Sequence, residues 1–165
     1  MNRAGLGAVL PDVSDSGSTQ GAVSWVLRVL MVACLGISAY VHLHLAHLYT
    51  TLGDTITMGQ LFKVQGVVAA AVALWLLVTG SRFAWWAGAA VSAASFAAVM
   101  LYRYVDIGAI GPLPNMYDAA WQPSPDKLLS AIVEGAGVVL FLVWLLVSRP
   151  RRVCERAQPA LSRSG

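Results

Sequence analysis

Residues 60–104 read QLFKVQGVVAAAVALWLLVT (60–79), GSR (80–82) and FAWWAGAAVSAASFAAVMLYRY (83–104). At about 1.5 Å per residue, each of the two apolar runs spans a hydrocarbon core about 30 Å thick as a helix. Only three residues join them, which predicts a tight antiparallel hairpin. In lipid the backbone must satisfy its own hydrogen bonds, so a spanning segment is a helix or part of a closed barrel. No alternating strands of about ten residues are present, and the barrel reading fails.

Two more runs of the same kind flank this hairpin, over 26–48 and 128–148. A polar turn over 50–59 joins the first run to the second. The stretch IGAIGPLPNMYDAAWQPSPD (107–126) separates the third from the fourth, and its prolines and glycines predict an ordered loop rather than a helix. The expected fold is therefore all-α, an integral membrane four-helix bundle. Residues 1–22 are expected to form a flexible N-terminal segment, 23–148 the transmembrane domain, and 149–165 a basic cytoplasmic tail. The first run stays apolar to Leu48, too long for the core of a cleaved signal, so it is expected to be retained.

Composition agrees. Of 165 residues, 58% are hydrophobic and 12% charged, against roughly 45–50% and about 25% in an ordinary soluble domain. That balance excludes disorder, and a soluble fold of this size could not bury so much apolar side chain. A net charge of +3 and the scatter of the aromatic residues exclude a nucleic-acid binder. Two distant cysteines, Cys34 and Cys154, form neither a CxxC pair nor a disulfide framework.

The basic residues set the orientation. With both termini inside, the cytoplasmic side carries Arg3, Arg28, Arg82, Arg149, Arg151, Arg152, Arg156 and Arg163, eight of the eleven. The far side carries Lys63, Arg103 and Lys127. The expected localisation is the plasma membrane, multi-pass, N-in and C-in, with the loop between the third and fourth runs outside.

On this topology the polar residues gather in the outward halves of the runs. They are Tyr40, His42, His44 and His47 in the first, Gln60, Lys63 and Gln65 in the second, Tyr102, Arg103 and Asp106 at the end of the third, and Ser130 and Glu134 in the fourth. Ionisable groups at membrane depth cost a few kcal/mol each and mark function or tight pairing. Tyr40, His44 and His47 share one helical face, with His42 on the opposite side. The expected outward-facing polar pocket comprises Tyr40, His44, His47, Gln60, Lys63, Tyr102, Arg103, Asp106, Ser130 and Glu134. Glu134 sits two turns into its run and requires a partner, with His44 or Lys63 the first expectation. Trp25, Trp85, Trp86, Trp121 and Trp144 are expected in interfacial belts. The sets Gly66/Ala70, Ala84/Gly88/Ser92 and Ala131/Gly135 are expected to form helix-packing faces.

His44 and His47 could share a metal ion, with Glu134 completing the shell. All three histidines lie in the first run, so a haem would have one axial histidine or need a dimer. Neither cofactor is firmly implied, and no catalytic residue is assigned. Snorkelling of Lys63 and Arg103 and an interfacial place for the histidines are the plainer readings.

The motifs AYVHLHLAHLY (39–49), MGQLFKVQGVVAAAVAL (58–74) and LYRYVDIGAIGPLP (101–114) come first. Trp121 with Pro123 or Pro125 and then LLSAIVEGAGVVL (128–140) follow. Together, over about 23–148, they resemble a group of small four-helix integral membrane proteins of actinobacteria that carries no established activity. The chain departs from that pattern where Asp106 and further residues separate Arg103 from the Gly-Pro turn. The resemblance implies location and helix count. Three functions stand open: an accessory or binding subunit of a larger membrane complex, docking a partner or a lipid headgroup through the pocket; a proton-coupled small-solute carrier acting as a homo-oligomer; and a metal- or haem-handling membrane protein. The bilayer is the expected partner of all three, and nucleic acid of none.

Overall fold

The computed structural model describes residues 15–50, 56–117 and 125–148. The chain folds into four helices, α1 (Asp15–Leu48), α2 (Met58–Thr79), α3 (Arg82–Tyr104) and α4 (Pro125–Val147). Each contains a stretch long and apolar enough to cross a membrane. The four apolar helices fit a multi-pass membrane protein. Helix α1 starts at Asp15, inside the stretch expected to be flexible, because nothing between Asp15 and Gly21 breaks it: glycine is tolerated within a helix and no proline occurs. Residues 1–14, Trp121, Pro123, Cys154 and the basic tail lie outside the described residues.

The helix ends are written locally. Thr57 caps α2 through a capping box, its hydroxyl accepting from the Gln60 amide while the Gln60 side chain accepts from the Thr57 N–H at 2.9 Å. Gly80 ends α2 in the left-handed region at φ 58°, and Ser81 immediately caps α3 by accepting from the Ala84 N–H. This makes the short hairpin that the sequence demanded. Arg28 of α1 reaches the same corner: its Nε donates to the Leu76 carbonyl at 2.8 Å, and its Nη2 donates to the Leu77 carbonyl. A cation thus sits at the negative end of the α2 dipole, adding a second donor to the Leu76 carbonyl, which also accepts from the Gly80 N–H, and supplying one to the Leu77 carbonyl.

The helices pack as a ring, with α1 against α2 and α4, and α3 against α2 and α4. Lipid supplies no hydrophobic drive between helices, so close backbone approach must provide the contact. On α2 the packed positions are Gly59, Gly66, Ala69, Ala73 and Leu76. Ala70, expected on this stripe, is exposed, because the α2 face in contact follows steps of three and four through Ala69 and Ala73 instead. On α3 the expected Ala84, Gly88 and Ser92 are all buried, and Gly88 lies against Met31 of α1.

Gly59 is the least forgiving of these sites, because its nearest neighbours are backbone atoms. A Cβ there would stand 2.7 Å from the Ala46 carbonyl oxygen and 3.0 Å from that of Tyr49, and the Gly59 N–H donates to Tyr49 at 2.9 Å. Backbone cannot swing aside as a side chain can. Gly59→Ala is expected to cost about 2 kcal/mol in a reversible unfolding titration in micelles, whereas Gly36→Ala, with nothing within 4 Å, should be neutral or stabilising. Equal behaviour of the two variants would contradict the close α1–α2 approach.

The two ends of the bundle differ. At the hairpin end, where α2 turns into α3, the interior is aromatic. Trp85 and Trp144 stack at 4.8 Å and 9°, Phe141 stacks on Trp144 at 5.8 Å, and Trp86 meets Phe141 edge-on at 4.7 Å. Leu27, Met31, Leu35 and Leu76 complete this core. Trp85 and Trp144 are 1% and 6% exposed, so these two are core rather than belt residues. Their helical positions turn them inward, while Trp25 and Trp86 stay on the surface. At the opposite, polar end the chain leaves α3 through a loop held by its own bonds. Asp106 Oδ1 accepts from the Gly108 N–H and from Asn115 Nδ2, both at 3.1 Å, and Ile110 and Leu113 exchange backbone bonds around the Gly111-Pro112 turn.

Candidate functional site

Glu134 is the most consequential side chain in the interior. It lies about 14 Å along α4 from that helix's start at 1.5 Å per residue, and it is 1% exposed. A carboxyl group at that depth must find donors within the protein. Ser130, one turn earlier on α4, donates to Glu134 Oε1 at 2.8 Å, and Ser38 of α1 donates to the same oxygen at 3.0 Å. The Oε2 atom is buried with no hydrogen-bond partner among the described residues.

The basic group that meets this carboxyl is His42, one turn from Ser38 on α1, its Nε2 3.8 Å from Glu134 Oε1. The other ring nitrogen fixes the tautomer. Nδ1 stands 2.8 Å from the Ser38 carbonyl oxygen, which can only accept, so Nδ1 carries a hydrogen. In the neutral ring Nε2 is then a bare lone pair facing the carboxyl. Phe62 of α2 packs edge-on against the His42 ring at 5.8 Å and holds it from the other side.

A second polar contact lies at the same level across the bundle, where Gln65 Nε2 of α2 donates to Ser95 Oγ of α3. Counting residues from the polar end, Ser38, Gln65, Ser95 and Glu134 lie about 10–15 Å along their helices. All four helices therefore contribute to one polar layer. Beyond it toward the hairpin end the core is aromatic and aliphatic.

Of the ten expected pocket residues, the structure brings together Ser130 and Glu134. The partners of Glu134 are Ser38, Ser130 and His42, which corrects the expectation of His44 or Lys63. Tyr40 and His44 stack on each other at 6.0 Å on the outside of α1, Tyr40 being 68% exposed, and His47 is exposed on the same face. Tyr40, His44 and His47 do share one face, but that face points outward and His42, opposite it, points inward. Gln60 is taken up by the α2 capping box, and Lys63 is exposed. Tyr102 is half-buried at the end of α3; Arg103 beside it lays its guanidinium over the Tyr104 ring at 5.1 Å. Asp106 is engaged in the loop.

Ser38 is not among the expected pocket residues, although the sequence carries a signal for it. Ser38 and His42 repeat on α1 the four-residue spacing of Ser130 and Glu134 on α4, at a matching depth. For the metal reading, His44 and His47 gain no third ligand, since no group of three His, Cys, Asp or Glu side chains suited to a metal ion occurs among the described residues.

No family model matches the chain, and neither a curated protein nor a solved structure does.

Proposed function

We propose that the chain is a multi-pass protein of the plasma membrane with both termini cytoplasmic, acting as an accessory or binding subunit. In this orientation the hairpin end, with Arg28 and Arg82, faces the cytoplasm, and the polar end, where the chain leaves α3, faces outward. Residues 23–148 form the membrane domain, preceded by a short N-terminal segment and followed by a basic tail. The observation that carries the reading is the outer face of α1. Tyr40, His44 and His47 point away from the bundle, opposite the face that buries Met31, Leu35, Ser38 and His42. In a lone bundle these groups would meet acyl chains and the headgroup boundary, whereas a partner helix would give them hydrogen bonds. The aromatic hairpin end counts against solute passage through one copy, so the carrier reading needs an oligomer.

Isolation in mild detergent tests this. The wild-type chain should retain a defined membrane partner, and the triple variant Tyr40→Leu/His44→Leu/His47→Leu should lose at least about tenfold in recovery of it, the scale of losing about 1.4 kcal/mol, while remaining helical. A wild-type chain that purifies alone, as a clean monomer or homo-oligomer, would reject the accessory role.

A further inference from the structure

We propose that Glu134 and His42 together form a binding site for one exchangeable proton inside the bundle, a property that goes beyond the accessory reading. The argument is geometric. With Nδ1 committed to the Ser38 carbonyl, His42 turns Nε2 toward Glu134 Oε1 at 3.8 Å. Two bare lone pairs at that separation repel. Without a proton the pair is also a net anion in a water-excluded interior, a costly state. One proton removes both problems. It resides on Nε2, giving an imidazolium beside a carboxylate, or on the carboxyl, giving two neutral groups, and transfer between them leaves the net charge unchanged. The two serine hydroxyls stabilise the ionised carboxylate by donating to Oε1, while unpartnered Oε2 leaves that stabilisation incomplete.

Among the described residues, the groups that Glu134 meets are Ser38, Ser130 and His42. Helix α4 packs on α1 and α3, and α1, which carries His42, packs also on α2, from which Phe62 meets the His42 ring, Gln65 is half-buried and Lys63 is exposed. From α1, His42 faces the carboxyl; Cys34 lies one turn beyond Ser38, and Tyr40, His44 and His47 lie on the outer face. From α3, Ser92 and Ser95 are the polar groups buried at this depth, Phe96 lies over Gly135, and Tyr102 and Arg103 stand about two turns nearer the polar end. On α4 itself, Asp126 and Lys127 stand about two turns away in the same direction. Trp85, Trp144 and Phe141 occupy the other side. The proton therefore exchanges with the polar end.

A hydrophobic carbodiimide tests the assignment, because it enters bilayers and couples to protonated carboxyl groups. The full-length protein in lipid nanodiscs is treated with dicyclohexylcarbodiimide from about pH 5 to about pH 9, a range that brackets histidine and perturbed carboxyl titrations. Peptide mass spectrometry then locates the adduct. The expected result is one adduct at Glu134, a yield falling along a one-proton curve as pH rises, and loss of the adduct in Glu134→Gln. In His42→Gln the midpoint should move by at least about one pH unit. PH-independent labelling, an adduct confined to other carboxyls, protection by sodium ions at constant pH, or an unmoved midpoint in a folded His42→Gln chain would each overturn the proposal. If the variants do not fold, pH-independent labelling or an adduct confined to other carboxyls in the wild-type chain still overturns the proposal.

Discussion

A chain carrying both Ser38→Ala and Ser130→Ala is expected to lose about 3 kcal/mol of stability, roughly a hundredfold in its folding equilibrium. Replacing the carboxyl itself, Glu134→Leu, should change stability by less than about 1 kcal/mol. The order looks inverted, since the glutamate is the centre of the cluster. Yet each serine donates to Glu134 Oε1, at 3.0 and 2.8 Å, and Oε2 has no hydrogen-bond partner among the described residues. Removing both hydroxyls leaves a buried carboxyl with the His42 ring at 3.8 Å, a distance too long for a hydrogen bond. Leucine removes the demand instead of the supply, and in lipid an apolar side chain of similar volume costs little. Each serine alone should cost about half the double variant, and a reversible detergent-unfolding titration resolves the series. If Glu134→Leu were the most damaging of the set, the hydroxyl bonds would not be what holds the site.

The helix count and all the helix ends but the start of α1, which lies at Asp15 rather than near Val26, were legible because lipid imposes length and apolarity so strictly. The runs over 60–79 and 83–104 end within two residues of α2 and α3. Rotation about each helix axis was far less legible. In a soluble bundle the inward face announces itself as the apolar one. In α1 both faces are apolar: Leu30 and Ile37 are exposed, while Met31 and Leu35 are buried. Spacing could group Tyr40 with His44 and His47 but could not say which way that group pointed. Size was no better guide for the tryptophans. An indole suits an interfacial belt and a stacked core equally well, and only the neighbours supplied by another helix separate Trp86 from Trp85.

The site was half legible for the same reason. Glu134 stood out because a carboxyl at that depth has few acceptable explanations. Its partners did not, since serine is common in membrane helices and Ser38 carries no charge to attract notice. Depth matching was the usable clue. Residues that count to the same level from the same end of the bundle, as Ser38, Gln65, Ser95 and Glu134 do, can meet, whereas His44 and His47 count to the boundary. Lys63 counts to about 7.5 Å along α2, short of the cluster's level, and sits on the exposed side of that helix, so its charge reaches outward instead of toward Glu134.

Trp144→Ala should be as damaging as the serine pair, costing about 3 kcal/mol, and Trp85→Ala should behave alike. Both rings lie within the bundle, stacked at 4.8 Å and 9°, with Phe141 against Trp144. Truncation opens an indole-sized void that the backbone cannot close, because small residues such as Ala84, Gly88 and Ala89 already bring α3 close to its neighbours. The loss is one of dispersion contacts; lipid would solvate an exposed indole about as well as the core does. Trp86→Ala, on the surface of the same turn, loses only the edge contact with Phe141 and should therefore cost about 1 kcal/mol. A double-mutant cycle on Trp85 and Trp144 isolates the stack, with an expected coupling of about 1 kcal/mol. Equal effects of Trp86→Ala and Trp144→Ala, or independent behaviour of Trp85 and Trp144, would return these tryptophans to an interfacial role. The hairpin end would then no longer be a packed aromatic core, and the case against passage through one copy would fall with it.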